Sequence, residues 1–277
     1  MDSIVRTPNR ADACTSIRFI SGCEAIQAGR GLVVQAHLIW DWNGTLMDDS
    51  GLVLAATNEA FTRLHFPDFA HDSPAEIAPG VLPLTPARYQ ELFDRPLRKF
   101  FYAVTRRNIT ESEFHRWTAL YLDAYQRMSP NARLNTEARA ALQEWHKTGG
   151  SQSVLSLHEH DKLIQQVERS ALTQYFVRID GRSGAHGNHD DSKRRPLQRH
   201  LKFLVECGLP QISAAIADRK VIMIGDTSDD ISAAHAAGVT CILYNKSPQI
   251  PGRPQTTGVP TAATLRRAVE LAKVLVQ

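Results

Sequence analysis

The stretch Asp41-Trp42-Asn43-Gly44-Thr45-Leu46 places a carboxylate behind a run of mostly apolar residues and ahead of a glycine that permits a tight turn. A carboxylate that ends a buried segment needs partners to offset its lost hydration. Three further features sit at comparable places. Ser156 ends a second apolar run, Lys193 follows the glycine-rich loop 181–192, and Gly225-Asp226-Thr227-Ser228-Asp229-Asp230 ends another run with three acids. Singly, each has an ordinary explanation: a serine helix cap, a surface lysine, acids favoured at a helix N-terminus by the macrodipole. Together, an aspartate nucleophile, a small hydroxyl, a lysine and an acidic pair form a set suited to phosphoryl transfer.

The elements that must position these groups are short and buried. Apolar runs at 32–41, 151–156, 175–180, 220–225 and 239–243 lack the alternation of half-exposed strands, as in a parallel sheet covered on both faces. Helical patterns lie at 159–172, 193–207, 229–237 and 261–276. Strands alternating with helices imply a doubly wound, Rossmann-like α/β sheet. The first two strands are far apart in sequence, and the stretch between them has helical runs at 52–64, 87–105 and 111–128, a proline-rich 67–86 and no convincing strand. The expected organisation is an extension over 1–30, an α/β core over 31–50 and 136–277, and an inserted helical cap over 51–135. Such an insertion sits over the carboxyl edge of the sheet, where open α/β sheets bind ligands.

In order and motif, this sequence resembles the haloacid dehalogenase (HAD) superfamily over about residues 33–250, in its branch with a helical cap after the first motif. Its nearest neighbourhood is the phosphoglycolate phosphatase-like one. The resemblance implies a Mg2+-dependent phosphohydrolase of small phosphomonoesters. Asp41 would be both metal ligand and nucleophile, giving an aspartyl-phosphate. Asp226 and Asp230 would hold the metal with the backbone carbonyl of Asn43, and Asp229 would stand behind them. Gly44, Thr45 or Ser156 would bind the phosphoryl oxygens, and Lys193 would neutralise nucleophile and phosphoryl group.

Asn43 departs from the pattern, which has a second aspartate there to protonate the leaving oxygen and then deprotonate water. An amide cannot exchange protons in that way, and loss of a positioned acid–base typically costs about 10²–10⁴ in rate. Three consequences follow as alternatives: a substrate whose leaving group needs little protonation, such as an acyl or aryl phosphate; a replacement acid from the insertion, among His65, His71, Glu59 and Tyr102; or a trapped or inactive enzyme. The last extends to a different class of function, a catalytically impaired HAD-fold protein that binds a phosphorylated metabolite as a sensor or regulatory partner. Arg88, Arg95 and Arg98 could face an anionic substrate, although arginines on a helix are more often at the surface. His158 is a candidate substrate contact. The histidines of 181–192 are expected to be solvated.

Composition removes several other classes. With 32 Lys+Arg against 29 Asp+Glu, the net charge of +3 is far from the basic excess of a nucleic-acid-binding face. No membrane span or secretory signal is apparent. Cys14, Cys23, Cys207 and Cys241 show no CxxC pair and read as reduced thiols, so the cytoplasm is the expected compartment. No GxGxxG follows the first strand, which argues against a dinucleotide site.

Overall fold

The computed structural model describes residues 35–64, 82–182, 192–246 and 258–277. The extension at 1–30, His65, His71, His186 and His189 lie outside the described residues, as do Cys14 and Cys23.

In chain order the core opens with β1 (His37–Trp40) and β2 (Met47–Asp48). Four helices follow: α1 (Ser50–Arg63), α2 (Pro86–Leu92), α3 (Leu97–Thr105) and α4 (Glu111–Met128). The chain returns through β3 (Arg133–Leu134), α5 (Ala138–His146), β4 (Ser151–Glu159), α6 (His160–Arg169) and β5 (Arg178–Arg182). It continues as α7 (Arg194–Glu206), α8 (Pro210–Ala217), β6 (Val221–Gly225) and α9 (Ser228–Ala236). It ends with β7 (Thr240–Tyr244), β8 (Thr261–Ala262) and α10 (Leu265–Leu275).

Six strands form one parallel sheet in the order β5-β4-β1-β6-β7-β8. The expected doubly wound α/β core with an inserted helical cap is therefore observed. Alternate residues of β1 serve opposite faces. Leu38 and Trp40 pack with Leu142, Trp145 and Val269 on one side, and Ile39 packs with Leu155, Leu197 and Met223 on the other. The chain runs from β1 outwards to β4 and β5 and then returns to β6 and runs outwards to β7 on the other side, so the carboxyl ends of β1 and β6 flank the topological switch point, where a crevice opens.

Several boundaries differ from the sequence reading. β1 starts at His37, and Asp41 is the first residue beyond it. β4 runs past Ser156 to Glu159, with a register irregularity between Leu155 and Glu159, so His158 and Glu159 belong to the strand and not to the next helix. The run at 87–105 is two helices, because Pro96 has no N–H to continue a helix from α2. The insertion also holds a strand: β3 pairs antiparallel with β2 beneath the cap, too short to show any periodicity. α5 and α8 were not anticipated. Thr261 and Ala262, expected in the last helix, extend the sheet before Thr264 caps α10.

In the cap, α4 starts from a capping box in which Thr110 and Glu113 satisfy each other's backbone N–H groups. Phe61, Phe100, Phe101 and Trp117 fill the space between α1, α3 and α4. Among the described residues no helix is long and apolar enough to cross a membrane.

Candidate active site

Asp41 follows β1 directly, its N–H bonded to the carbonyl of Ile224 at 2.8 Å, and is only 4% exposed. Lys193, at the N-cap of α7 and buried, reaches the Asp41 carboxylate. Its Nζ is 2.5 Å from Asp41 Oδ1 and 2.5 Å from Asp230 Oδ1. Asp41, Asp226 and Asp230 each offer a carboxylate oxygen within 4.8 Å of the others. Asp41 and Asp230 are buried and share the Lys193 ammonium, and Asp226 stands beside them half-buried. Burial pushes the Asp41 carboxyl well above its usual range, against the pull of Lys193 and with the push of Asp230 and Asp226. Burial alone would lower the Lys193 ammonium, but Asp230 and Asp41 outweigh it and hold the group charged above its ordinary value. Three hard carboxylate oxygens gathered this closely are the donor chemistry that fits a divalent cation such as Mg2+.

The backbone makes this convergence possible at two glycines. Gly44 has φ +76°, and a Cβ there would lie 2.4 Å from Asp226 Oδ2. A Cβ on Gly225 would lie 2.3 Å from Asp230 Cγ. Asp230 is doubly committed: Oδ2 accepts from the Thr227 N–H at 3.0 Å and hydroxyl at 2.6 Å, closing a capping box on α9, while Oδ1 accepts from Lys193. Asp229 accepts the Lys193 backbone N–H at 3.0 Å and lies 3.9 Å from Arg95. Thr45 is fully buried, its hydroxyl 3.4 Å from Asp226 Oδ1.

Asn43 is held on every side. Its Nδ2 donates to Asp49 Oδ2 at 2.6 Å and to the Tyr125 hydroxyl at 3.0 Å, and its Oδ1 accepts from Ser156 Oγ at 3.1 Å. Tyr125, from α4, also donates to Asp49 Oδ2 at 2.6 Å, and Asp49 Oδ1 accepts the Gly44 N–H at 2.9 Å. Burial raises the Asp49 carboxyl above its ordinary range despite these donors. Asp49 and Tyr125 were missed by sequence reasoning. An aspartate before a helix reads as its cap, and nothing in the sequence says that Asp49 turns back to the Gly44 turn. Tyr125 carries no signal within its helix.

Asp41, Asn43, Gly44, Ser156, Lys193 and Asp226 line one cavity of about 680 Å³ between core and cap, whereas Thr45 and Asp230 stand behind its wall. Of the candidate cap residues, Arg95 reaches the cavity; Arg88 pairs with Glu91, and Arg98 with Glu111 and the Phe114 ring. Glu59 is tied to Arg63 and Arg127, and Tyr102 is half exposed; neither borders the cavity. His158 does border it, mostly buried, its ring edge-on to Tyr125, and burial lowers its pKa to about 4. His160 Nδ1 accepts the Gly181 N–H at 3.1 Å.

The family model for haloacid dehalogenase-like hydrolases matches residues 38–244, most of the chain and all of the motifs above. This chain belongs to that family of hydrolases. Solved HAD-like structures share its fold at low identity. A predicted phosphatase from Clostridium acetobutylicum superposes with a TM-score of 0.62 at 16% identity, covering 87% of this chain and 98% of its own. A predicted phosphoglycolate phosphatase from Haemophilus somnus gives 0.57 at 13%, covering 88% and 99%. A haloacid dehalogenase-like family protein from Streptococcus pneumoniae gives 0.57 at 15%, covering 85% and 97%. A search of curated protein sequences finds no significant match.

Proposed function

We propose that this HAD-family chain is a Mg2+-dependent phosphohydrolase of small phosphomonoesters that works through an aspartyl-phosphate on Asp41. The observation that carries the reading is the charge cluster in which Asp41 meets Lys193 and shares a donor set with Asp226, beside it on the cavity wall, and with Asp230 just behind that wall. A divalent ion held by Asp41, Asp226, Asp230 and the Asn43 carbonyl would offset carboxylate charge and polarise a phosphoryl oxygen. An Asp41 oxygen attacks phosphorus as the ester P–O bond breaks, and the leaving oxygen departs with its electron pair and takes a proton from water. Water then attacks the aspartyl-phosphate, releasing inorganic phosphate and restoring Asp41. Lys193 compensates charge on nucleophile and phosphoryl group throughout, with Gly44 and Ser156 beside the phosphoryl site. Thr45 supports the site from behind Asp226. Cys241, a buried thiol outside any disulfide, suits a reducing compartment such as the cytoplasm.

A second reading, a HAD-fold protein that binds a phosphorylated metabolite without turnover, rests on Asn43, whose amide is built into a fully bonded network with no acid in its place. A panel of phosphate esters assayed with and without Mg2+, beside Asp41→Asn, separates the two. Mg2+-dependent phosphate release that is lost in Asp41→Asn supports the hydrolase. Activity that ignores either change overturns the mechanism, and binding without release supports the second reading.

A further inference from the structure

The cavity above Asp41 has a wall that small alkyl phosphates do not need. Along α4, Tyr125, Tyr121 and Trp117 form a ladder of stacked rings, with centroids 6.1 and 5.9 Å apart and planes within 23° and 18°. Its foot is the Tyr125 hydroxyl bonded to Asn43 and Asp49, so the ladder leads from the reaction centre into the cap. Tyr89 and Phe93, stacked at 5.2 Å, and Leu54 add further apolar lining. A cavity of about 680 Å³ falls in the range of about 300–1,000 Å³ that holds organic ligands of substantial size. The ionisable acids and arginines bordering it beyond the catalytic cluster are Asp49, Glu91, Asp94, Glu159 and Asp229 against Arg95 and Arg182, with Arg95 beside Asp229. A leaving group bearing its own carboxylate would meet rings and acids there.

The second observation is independent of the wall. Asn43 carries no ionisable proton, and both donor directions of its amide are committed to Asp49 and Tyr125. An alkoxide leaving group has a conjugate acid near the pKa of water, about 15.7, and depends strongly on a positioned acid. An aryloxide resembles the tyrosine phenolate, with a pKa of about 10, and departs with little help. Asn43 therefore penalises alkyl esters far more than aryl esters, and the aromatic wall offers a flat ring its best contacts.

We infer that this site, read as the phosphohydrolase proposed above, takes aryl phosphomonoesters, with the ring of the leaving group against the Tyr125–Tyr121–Trp117 ladder. Asp41 oxygen bonds to phosphorus as the P–O(aryl) bond breaks. The aryloxide leaves with the electron pair and is protonated by water. A second water hydrolyses the aspartyl-phosphate to inorganic phosphate.

The test compares kcat/KM with Mg2+ for phenyl phosphate, phosphoglycolate, glycerol phosphate, a nucleoside monophosphate and acetyl phosphate. It adds calorimetric binding of phenylphosphonate and phosphonoacetate to the Mg2+-loaded protein. Phenyl phosphate is expected to exceed the alkyl esters by about 10²–10⁴-fold, and Asn43→Asp to narrow the gap by raising the alkyl esters alone. Tyr121→Leu is expected to raise KM for phenyl phosphate about 2–10-fold with kcat little changed, and Tyr121→Phe to keep the wild-type value. Equal use of alkyl esters, or preference for the nucleotide or acetyl phosphate, overturns the inference and leaves the phosphohydrolase reading standing. If no ester is cleaved, turnover falls with that reading. Tighter binding of phenylphosphonate than phosphonoacetate then still supports the aryl pocket, and equal or reversed binding overturns it.

Discussion

Replacing Lys193 by methionine keeps the length of the side chain and removes the only cation that touches both Asp41 and Asp230 among the described contacts. The ammonium lies 2.5 Å from one oxygen of each, and all three residues are at most 5% exposed. Deleting one partner of a buried ion pair typically costs about 3–5 kcal/mol, because the remaining charge is stranded. Against a total stability of order 5–15 kcal/mol that is a large fraction. With a urea m-value of about 2–3 kcal/mol/M, the unfolding midpoint should fall by about 1–2.5 M in a metal chelator at neutral pH. The carboxyl at Asp41 is already raised in the folded protein and is raised further without Lys193. Such a group binds more protons folded than unfolded, so the deficit is fullest above its folded pKa and shrinks as pH falls through that value. On the proposed reading a bound Mg2+ would supply the missing positive charge and should stabilise Lys193→Met more than the wild type. Urea melts at neutral and mildly acidic pH, with chelator and with Mg2+, read all three effects. A deficit below about 1 kcal/mol, or one equally large with Mg2+ and with chelator, would refute the charge-cluster argument.

Gly44→Ala should displace Asp226, because its Cβ would fall 2.4 Å from Oδ2 at a φ of +76°; titration calorimetry should show Mg2+ affinity falling by at least tenfold. Tyr125→Phe removes the hydroxyl that joins α4 to Asp49 and Asn43 and leaves a buried carboxylate with one donor fewer, at a cost of about 1–3 kcal/mol; thermal melts should show the loss, and hydrogen exchange should report faster opening of α4. His37, fully buried between Ser151 and Ser153, is neutral in the fold with its pKa lowered to about 3 by burial and by nearby His200. Its contribution is complete above the unfolded value of about 6.5 and is lost at up to about 1.4 kcal/mol per pH unit as pH falls towards 3; His37→Gln should flatten the acid limb of stability against pH.

The parallel sheet was legible because burial on both faces writes continuous apolar runs, and the long gap after the first run gave away the insertion. The pieces that escaped, β3 and β8 among them, are two residues long and owe their existence to a neighbouring strand rather than to any local pattern. The split of 87–105 at Pro96 was readable from the proline itself. The motif residues Asp41, Lys193, Asp226 and Asp230 stood out because each falls where a strand ends or a helix begins, and the sheet brings those ends to one edge.

The sequence alone determined the alternation of the five longer strands with helices, the insertion after the first strand and the presence of an amide at Asn43, since these depend on composition and spacing along the chain. Only the tertiary structure decided what Asn43 touches. Asp49 lies six residues away and Tyr125 eighty-two, and their meeting depends on a glycine turn and on how α4 packs over the sheet. The aromatic ladder on α4 was equally silent, because rings spaced four residues apart look the same in sequence whether they fill a core or line a cavity. Their stacking above Asp41 is a property of the packed cap.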